Sequence, residues 1–175
     1  AVSDGTIATH ALILASSNNQ PIIVLVDLKT TGVEKSIEPI IDETRDYCNL
    51  ELKGCEASVI GEEGNGYHIH EAVLDKAAVY FAFEQIGGAQ ASLDMAVNYA
   101  KERFAFGRAI GSFQAIKHKL ADMYVALTLA QSNAYYAAYA LSSNTSDLSL
   151  AAATARVSST KAYELCSKEN IQTHG

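Results

Sequence analysis

The stretch that decides the fold reads ERFAFGRAIGSFQ and runs from Glu102 to Gln114. A long helical pattern ends where it starts, the backbone turns at Gly107 and Gly111, and a second helical pattern follows. Ser112 is a residue type that favours the N-cap of the following helix. The stretch therefore predicts a tight connection between two long helices.

Arg103 and Gln114 lie near the two ends of this connection. Both side chains are planar and carry several hydrogen-bond donors, and such groups beside a rigid turn suit a polyphosphate or carboxylate ligand. The residues alone leave a second interpretation equally open, in which Arg103 pairs with a surface acid and Gln114 faces water.

Composition and charge exclude several classes of protein. The chain has 175 residues, of which 49% are hydrophobic, so it can bury a sizeable core. Its net charge of −7 disfavours nucleic acid or an anionic membrane as the main partner, because both require a basic surface. We see no apolar run long enough to span a bilayer and no signal-peptide pattern, which predicts a soluble protein. The three scattered cysteines indicate reduced thiols in a cytoplasm-like compartment.

Residues 1–61 have the pattern of β structure. Two aliphatic, β-branched runs at residues 7–15 and 21–28 flank a polar turn at residues 16–20, which predicts a hairpin. Shorter strands are predicted over residues 32–33, 37–42, 47–52 and 57–60. We therefore expect a partial antiparallel β domain over residues 1–61.

The glycine-rich segment at residues 61–66 marks a change to helical periodicity. Helices are predicted over residues 67–104, 112–141 and 146–173, and Gly87 and Gly88 would let a neighbouring helix approach the first of them closely. Apolar residues on the second helix recur at steps of three and four: Ile116, Leu120, Met123, Leu127, Ala130, Ala134, Ala137 and Leu141. The predicted class is α+β, a partial antiparallel β domain followed by three long helices of an incomplete four-helix bundle over residues 62–175.

The connection resembles the signature between two bundle helices of the acyl-CoA dehydrogenase flavoproteins, R-x-x-F-G, a short gap, then F-Q and A-D-M. The matching residues are Arg103, Phe106, Gly107, Phe113, Gln114, Ala121, Asp122 and Met123. The segment IQTHG at residues 171–175 is similar to the start of the family's Q-x-x-G-G turn. The resemblance would make the chain about half of such a protein, from within the middle β domain to a truncated C-terminal bundle.

The resemblance implies binding of the adenosine-pyrophosphate arm of FAD across a subunit interface. It places Arg103 on the pyrophosphate, Phe106 beside it, hydrogen bonds at Gln114 and Gln172, and close backbone approach at Gly175. The implied reaction is α,β-dehydrogenation of an acyl-CoA thioester in a homodimer or homotetramer. The implied acceptor is electron-transfer flavoprotein or a similar protein, and the implied compartment is the cytoplasm, or the mitochondrial matrix in a eukaryote.

The resemblance implies no catalytic residue within this chain. In one subgroup the proton-abstracting glutamate aligns with Ala77, and in most members it lies beyond the position of Gly175. Of the family's D-x-x-R near the substrate, Asp75 is kept and Ala78 replaces the arginine. These departures leave open a non-catalytic FAD-binding structural subunit of a hetero-oligomer. A further alternative is a cofactor-free helical interaction module, which the match over residues 103–114 disfavours. We predict no metal site.

Overall fold

The computed structural model describes residues 2–42 and 44–175. The chain divides into two compact units, Ala1–Ala72 and Val73–Gly175. Strands occupy the first part of the chain and three long helices the second, so the predicted α+β class is confirmed. The last strand of the first part ends at Ile60 and the first long helix begins at Gly66. A domain boundary after residue 61 stays a prediction.

The first unit contains two antiparallel sheets, each with three strands in the described residues. The strands are β1 (Val2–Ser3), β2 (His10–Ser17), β3 (Gln20–Asp27), β4 (Val33–Ile37), β5 (Tyr47–Leu52) and β6 (Ser58–Ile60). One sheet has the order β1-β5-β4 and the other has the order β2-β3-β6. The buried hydrophobic residues of this unit come mainly from β3 and β5: Ile22, Ile23, Val26, Leu28 and Cys48.

The predicted hairpin of residues 7–28 is confirmed as β2 paired with β3, with Ser17 opposite Gln20. Its turn is shorter than the predicted polar segment, because only Asn18 and Asn19 lie between the strands. Their φ angles of 50° and 62° are both left-handed. This is the backbone of a two-residue hairpin turn, which asparagine tolerates better than most residues.

The strand predicted over residues 37–42 is wrong in its position. The structure places β4 at Val33–Ile37 and no strand over the residues from Glu38 to Asp42. Pro39 explains the difference, because proline has no N–H to give to a strand ladder. The strand therefore ends just before the proline.

The second unit contains α1 (Gly66–Glu102) from Val73 onward, α2 (Gln114–Ser143) and α3 (Leu148–His174). The predicted apolar seam of α2 is confirmed, and five of its residues are at most 1% exposed: Met123, Leu127, Ala130, Ala134 and Ala137. The facing positions are mostly alanines, among them Ala82, Ala89, Ala96, Ala152, Ala155 and Ala162. Small side chains let the helices pack closely at the density of a protein interior. None of the described helices has the length and hydropathy that crossing a bilayer requires.

At Gly88 the Tyr163 ring of α3 packs closely against α1. A Cβ atom added at Gly88 would lie 2.7 Å from the ring of Tyr163, too close for van der Waals contact. At Gly87 the same atom would meet nothing within 4 Å in the described structure. The predicted close approach therefore depends on one of the two glycines.

Replacing these glycines with alanine should separate packing from helix propensity. Gly87→Ala is expected to raise the free energy of unfolding by about 1 kcal/mol, the usual gain from alanine over glycine inside a helix. Gly88→Ala should lose most of this gain, because the Tyr163 ring must move. Urea unfolding of the two variants measures the difference, and equal stabilisation would contradict the packing of Tyr163 over Gly88.

The connection between α1 and α2 is a small hairpin followed by a 3-10 turn. Its strands are β7 (Phe104–Ala105) and β8 (Arg108–Ala109), and the turn residues Phe106 and Gly107 have φ angles of 54° and 79°. The 3-10 turn spans Ile110–Ser112. A Cβ at Gly111 would lie 2.8 Å from the carbonyl oxygen of Ala100, so glycine is required there for close approach to α1.

The predicted N-cap at Ser112 is wrong. The hydroxyl of Ser112 donates to the carbonyl of Ala109 at 2.7 Å and so closes the 3-10 turn. The residue that precedes α2 is Phe113, which makes no side-chain capping bond in the described part of the chain. Four residues separate the hairpin from α2, so Ser112 lies in the 3-10 turn and not at the position that precedes the helix.

Candidate functional site

The end of α1, the start of α2 and the end of α3 meet at one end of the second unit. The rings of Tyr99 on α1 and His174 on α3 stack with centroids 4.1 Å apart. Lys119 on α2 forms an ion pair with Glu169 on α3, with Nζ 2.5 Å from Oε2. Four of the predicted cofactor residues therefore lie at this end: Arg103, Gln114, Gln172 and Gly175.

Arg103 has a fixed backbone and a free side chain. Its N–H donates to the carbonyl of Tyr99 at 2.8 Å, and its own carbonyl accepts from the N–H of Ile110 at 2.8 Å. The exposed guanidinium has no hydrogen-bond or ion-pair partner among residues 2–42 and 44–175. The alternative of a surface acid paired with Arg103 finds no support in the described structure. The guanidinium is therefore available to an anion, and its attachment point on the backbone is fixed.

Gln114 and Gln172 are also exposed, and neither amide has a partner within the described residues. Gln114 is the first residue of α2, and Gln172 lies in the last turn of α3. We call Arg103, Gln114 and Gln172 the donor set. Together they offer a guanidinium fork and two amides, which can donate to phosphate oxygens and accept from ribose or base groups.

Phe106 forms the tip of the β7–β8 hairpin and is 96% exposed. A left-handed φ costs a bulky residue roughly 1–2 kcal/mol, so this conformation of Phe106 is strained. Its ring meets the ring of Phe113 edge to face with centroids 6.4 Å apart, and Arg108 covers the Phe113 ring at 4.0 Å. The two neighbours steady the hairpin and leave the Phe106 ring accessible to a ligand or partner.

Gly175 and Asp75 are at opposite ends of the second unit. Gly175 follows α3 with a φ of 133°, which favours glycine, and its N–H donates to Ile171 at 3.2 Å. Asp75 lies on α1, roughly 40 Å from Arg103 along the helix axis. It accepts a hydrogen bond of 3.3 Å from Ser149 at the start of α3. Asp75 therefore does not share a site with the donor set within this unit.

Sequence reasoning did not single out Tyr99 or Arg108. Tyr99 precedes Arg103 by one helical turn, so its place on the same face of α1 was a usable signal. The contact of Tyr99 with His174 could not be predicted, because the two residues are far apart in the sequence. Arg108 gave no signal before the hairpin placed it against Phe113.

The cysteines are all free thiols. Cys48 and Cys166 are buried, and burial raises the pKa of the Cys166 thiol. Its Sγ donates weakly to the carbonyl of Met123 at 3.7 Å. These properties indicate a structural role for Cys166. Among the described residues no group of three or more His, Cys, Asp and Glu side chains could hold a metal ion.

Comparison with known proteins gives consistent matches. The family model described as acyl-CoA dehydrogenase, C-terminal domain, matches residues 64–175, more than half of the chain. Acyl-CoA dehydrogenase IpdE2 of Mycobacterium tuberculosis is 43% identical over 103 residues, which is 59% of this chain and 30% of that protein. The caffeyl-CoA reductase-Etf complex subunit CarC of Acetobacterium woodii is 33% identical over 86% of this chain and 41% of that protein.

Comparison with solved structures gives matches to the same family. The structure of butyryl-CoA dehydrogenase from Megasphaera elsdenii superimposes with a TM-score of 0.91 and 25% identity, over 99% of this chain and 48% of that one. The chain thus spans less than half the length of the relatives named here. The chain belongs to the acyl-CoA dehydrogenase family, a family of flavoproteins.

Proposed function

We propose that the chain is part of a longer FAD-dependent acyl-CoA dehydrogenase, in which its second unit holds the adenosine-pyrophosphate arm of FAD. The observation that carries the proposal is the donor set, which gathers a guanidinium and two amides at one end of the unit. None of these three side chains has a partner within the described residues. Donors left free in this way fit a ligand with several acceptor oxygens.

Each residue has a definite task at this site. The Arg103 guanidinium can donate two parallel hydrogen bonds to the pyrophosphate oxygens, and its fixed backbone limits the entropy lost on binding. Gln114 and Gln172 hydrogen-bond the remaining polar groups of the same arm, and Phe106 packs against it. Gly175 carries no side chain that would keep the backbone away from the ligand. When bound, FAD supplies the hydride acceptor for α,β-dehydrogenation of an acyl-CoA thioester.

The proton-abstracting residue belongs outside these 175 residues in this proposal. Ala77 and Ala78 cannot exchange protons, so α1 offers no base at the position used by one subgroup. Asp75 remains our proposed substrate contact. Its hydrogen bond from Ser149 at 3.3 Å is long, so the carboxylate can also accept from a ligand.

We further propose that the complete protein is a homodimer or homotetramer that passes electrons from acyl-CoA to an electron-transfer flavoprotein or similar acceptor. The exposed Phe106 ring at a strained hairpin tip supports a contact with a second protomer. The Etf named for the related CarC complex supports the acceptor. The cytoplasm, or the mitochondrial matrix in a eukaryote, is the proposed compartment. Light scattering of the full-length protein should give the mass of two or four protomers, and a stable monomer would contradict the assembly.

Flavin content and activity of the purified full-length protein test the proposal together. We expect one FAD per protomer, and oxidation of acyl-CoA thioesters with a dye as electron acceptor. A folded but flavin-free protein would instead favour the cofactor-free helical module. A flavin-loaded protein that oxidises no acyl-CoA would favour the non-catalytic subunit. The relatives named as dehydrogenases give neither alternative support.

A further inference from the structure

Tyr99 contacts two of the chain segments that contribute the proposed cofactor ligands, the end of α1 and the end of α3. Its carbonyl accepts the N–H of Arg103 at 2.8 Å, which fixes the residue where α1 ends. Its ring stacks on that of His174, at an interplanar angle of 28° and a centroid distance of 4.1 Å. Arg103 and His174 are far apart in the sequence, and Tyr99 contacts both.

The hydroxyl of Tyr99 adds a contact to the backbone of α3. It donates to the carbonyl oxygen of His174 at 3.4 Å, a long hydrogen bond. The last four carbonyls of a helix have no partner within the helix, so this donor satisfies one of them. The stacked rings make up most of the contact between Tyr99 and His174, and the hydroxyl hydrogen bond orients the Tyr99 side chain.

His174 is itself held by α3. Its Nδ1 lies 2.8 Å from the carbonyl oxygen of Asn170. A carbonyl oxygen only accepts, so Nδ1 carries the proton and donates. The imidazole is thus fixed at two places, by Asn170 and by the Tyr99 ring. His174 lies in the last turn of α3, which contains Gln172 and leads into Gly175.

We propose that Tyr99 is a positioning residue for the cofactor site. By stacking on His174, it holds Gln172 and Gly175 at a fixed distance from Arg103, so that one ligand reaches both segments. The inference rests on the proposed FAD site described above. In this proposal Tyr99 does not touch the ligand; its ring acts through the last turn of α3, and its backbone lies one helical turn before Arg103.

The bundle offers a matched control for ordinary helix packing. Tyr135 on α2 meets Phe83 on α1 edge to face, with ring centroids 5.4 Å apart. This pair also joins two helices through partly exposed aromatic rings, but it lies well away from the ends that carry the donor set. Tyr135→Leu should therefore weaken helix packing and spare the cofactor site.

The experiment measures the Kd for FAD, by reconstituting the flavin-free full-length protein, and the melting temperature of the same flavin-free protein. Tyr99→Leu is expected to raise the Kd roughly fivefold or more, the effect of losing one aromatic pair. Tyr99→Phe keeps the stacked ring and should stay within about twofold of the wild type. Tyr135→Leu should lower the melting temperature and leave the Kd within about twofold.

His174→Leu removes the same contact from the other side, so the test does not depend on the folding of Tyr99→Leu. It should raise the Kd by a similar factor, and the double variant should be no worse than either single one, because both lose one shared contact. If the losses of FAD affinity in Tyr99→Leu and His174→Leu add in the double variant, the proposal is overturned. Equal losses of FAD affinity in Tyr99→Leu and Tyr135→Leu would also overturn it.

The outcomes separate this inference from the proposed function. If the wild type binds FAD and Arg103→Ala loses it while Tyr99→Leu and His174→Leu keep the wild-type Kd, only the positioning role fails. If the wild type binds no FAD, the proposed function fails and the positioning role fails with it.

Discussion

Replacing Arg103 with alanine in the full-length protein is expected to release FAD while the helices stay folded. A hydrogen bond to a charged group contributes roughly 1.5–3 kcal/mol, and the guanidinium offers two in parallel, so the Kd should rise by at least roughly 100-fold. The helices should be unaffected, because the Arg103 side chain has no partner among the described residues. Flavin absorbance after gel filtration and far-UV circular dichroism measure the two effects.

Two further variants show whether FAD affinity depends on the planar geometry of the Arg103 guanidinium or on positive charge alone. Arg103→Lys keeps the charge and loses the planar fork, so it should recover only part of the affinity. Lys101→Ala removes a positive charge from the last turn of α1 and should retain the flavin. Stoichiometric FAD in Arg103→Ala would refute Arg103 as a pyrophosphate ligand. Equal losses of FAD affinity in Arg103→Ala and Lys101→Ala would show that Arg103 contributes only its positive charge.

The 175-residue chain expressed alone is expected to be catalytically inert and to bind FAD poorly. The donor set and Phe106 contact only one arm of the cofactor in our proposal. Each charged hydrogen bond contributes roughly 1.5–3 kcal/mol. Association costs roughly 4–15 kcal/mol, so little net affinity is left. We expect a Kd weaker than roughly 0.1 mM, equivalent to less than about 5.5 kcal/mol of binding free energy.

Fluorescence titration of FAD into the isolated chain measures this Kd, with circular dichroism to verify the helices. The Arg103→Ala form of the same chain gives the baseline, and it should differ little from the unmodified chain. Micromolar binding that Arg103→Ala abolishes would show that the chain holds a complete site. Turnover of acyl-CoA by the isolated chain would contradict the absence of a catalytic residue.

The sequence predicted the features that repeat along the chain. The apolar steps of α2 identified the buried residues Met123 and Leu127 because helical periodicity extends over many turns. The hairpin of β2 and β3 was predictable because two aliphatic runs flank a polar turn. A close approach at Gly87 and Gly88 could be predicted, although the sequence did not show that only Gly88 makes it or that Tyr163 is the neighbour.

The errors fall where a local pattern is short or where tertiary structure decides. The strands of the β7–β8 hairpin have only two residues each, and its turn contains Phe106, a residue type that rarely adopts a left-handed φ. Turn propensities therefore did not predict this hairpin. Ser112 had the chemistry of an N-cap, but the 3-10 turn took its hydroxyl. At the candidate site, the resemblance to the family signature suggested the residues of the donor set, and their role stays a prediction. The contact of Tyr99 with His174 required the fold.

The distance from the Arg103 guanidinium to the pyrophosphate of bound FAD tests the central claim most directly. A crystal structure of the full-length protein with FAD provides it. We predict at least one N–H donor of Arg103 within about 3.2 Å of a pyrophosphate oxygen, with Gln172 contacting the same arm of the cofactor. An FAD bound elsewhere, with Arg103 facing solvent or a carboxylate, would contradict the account.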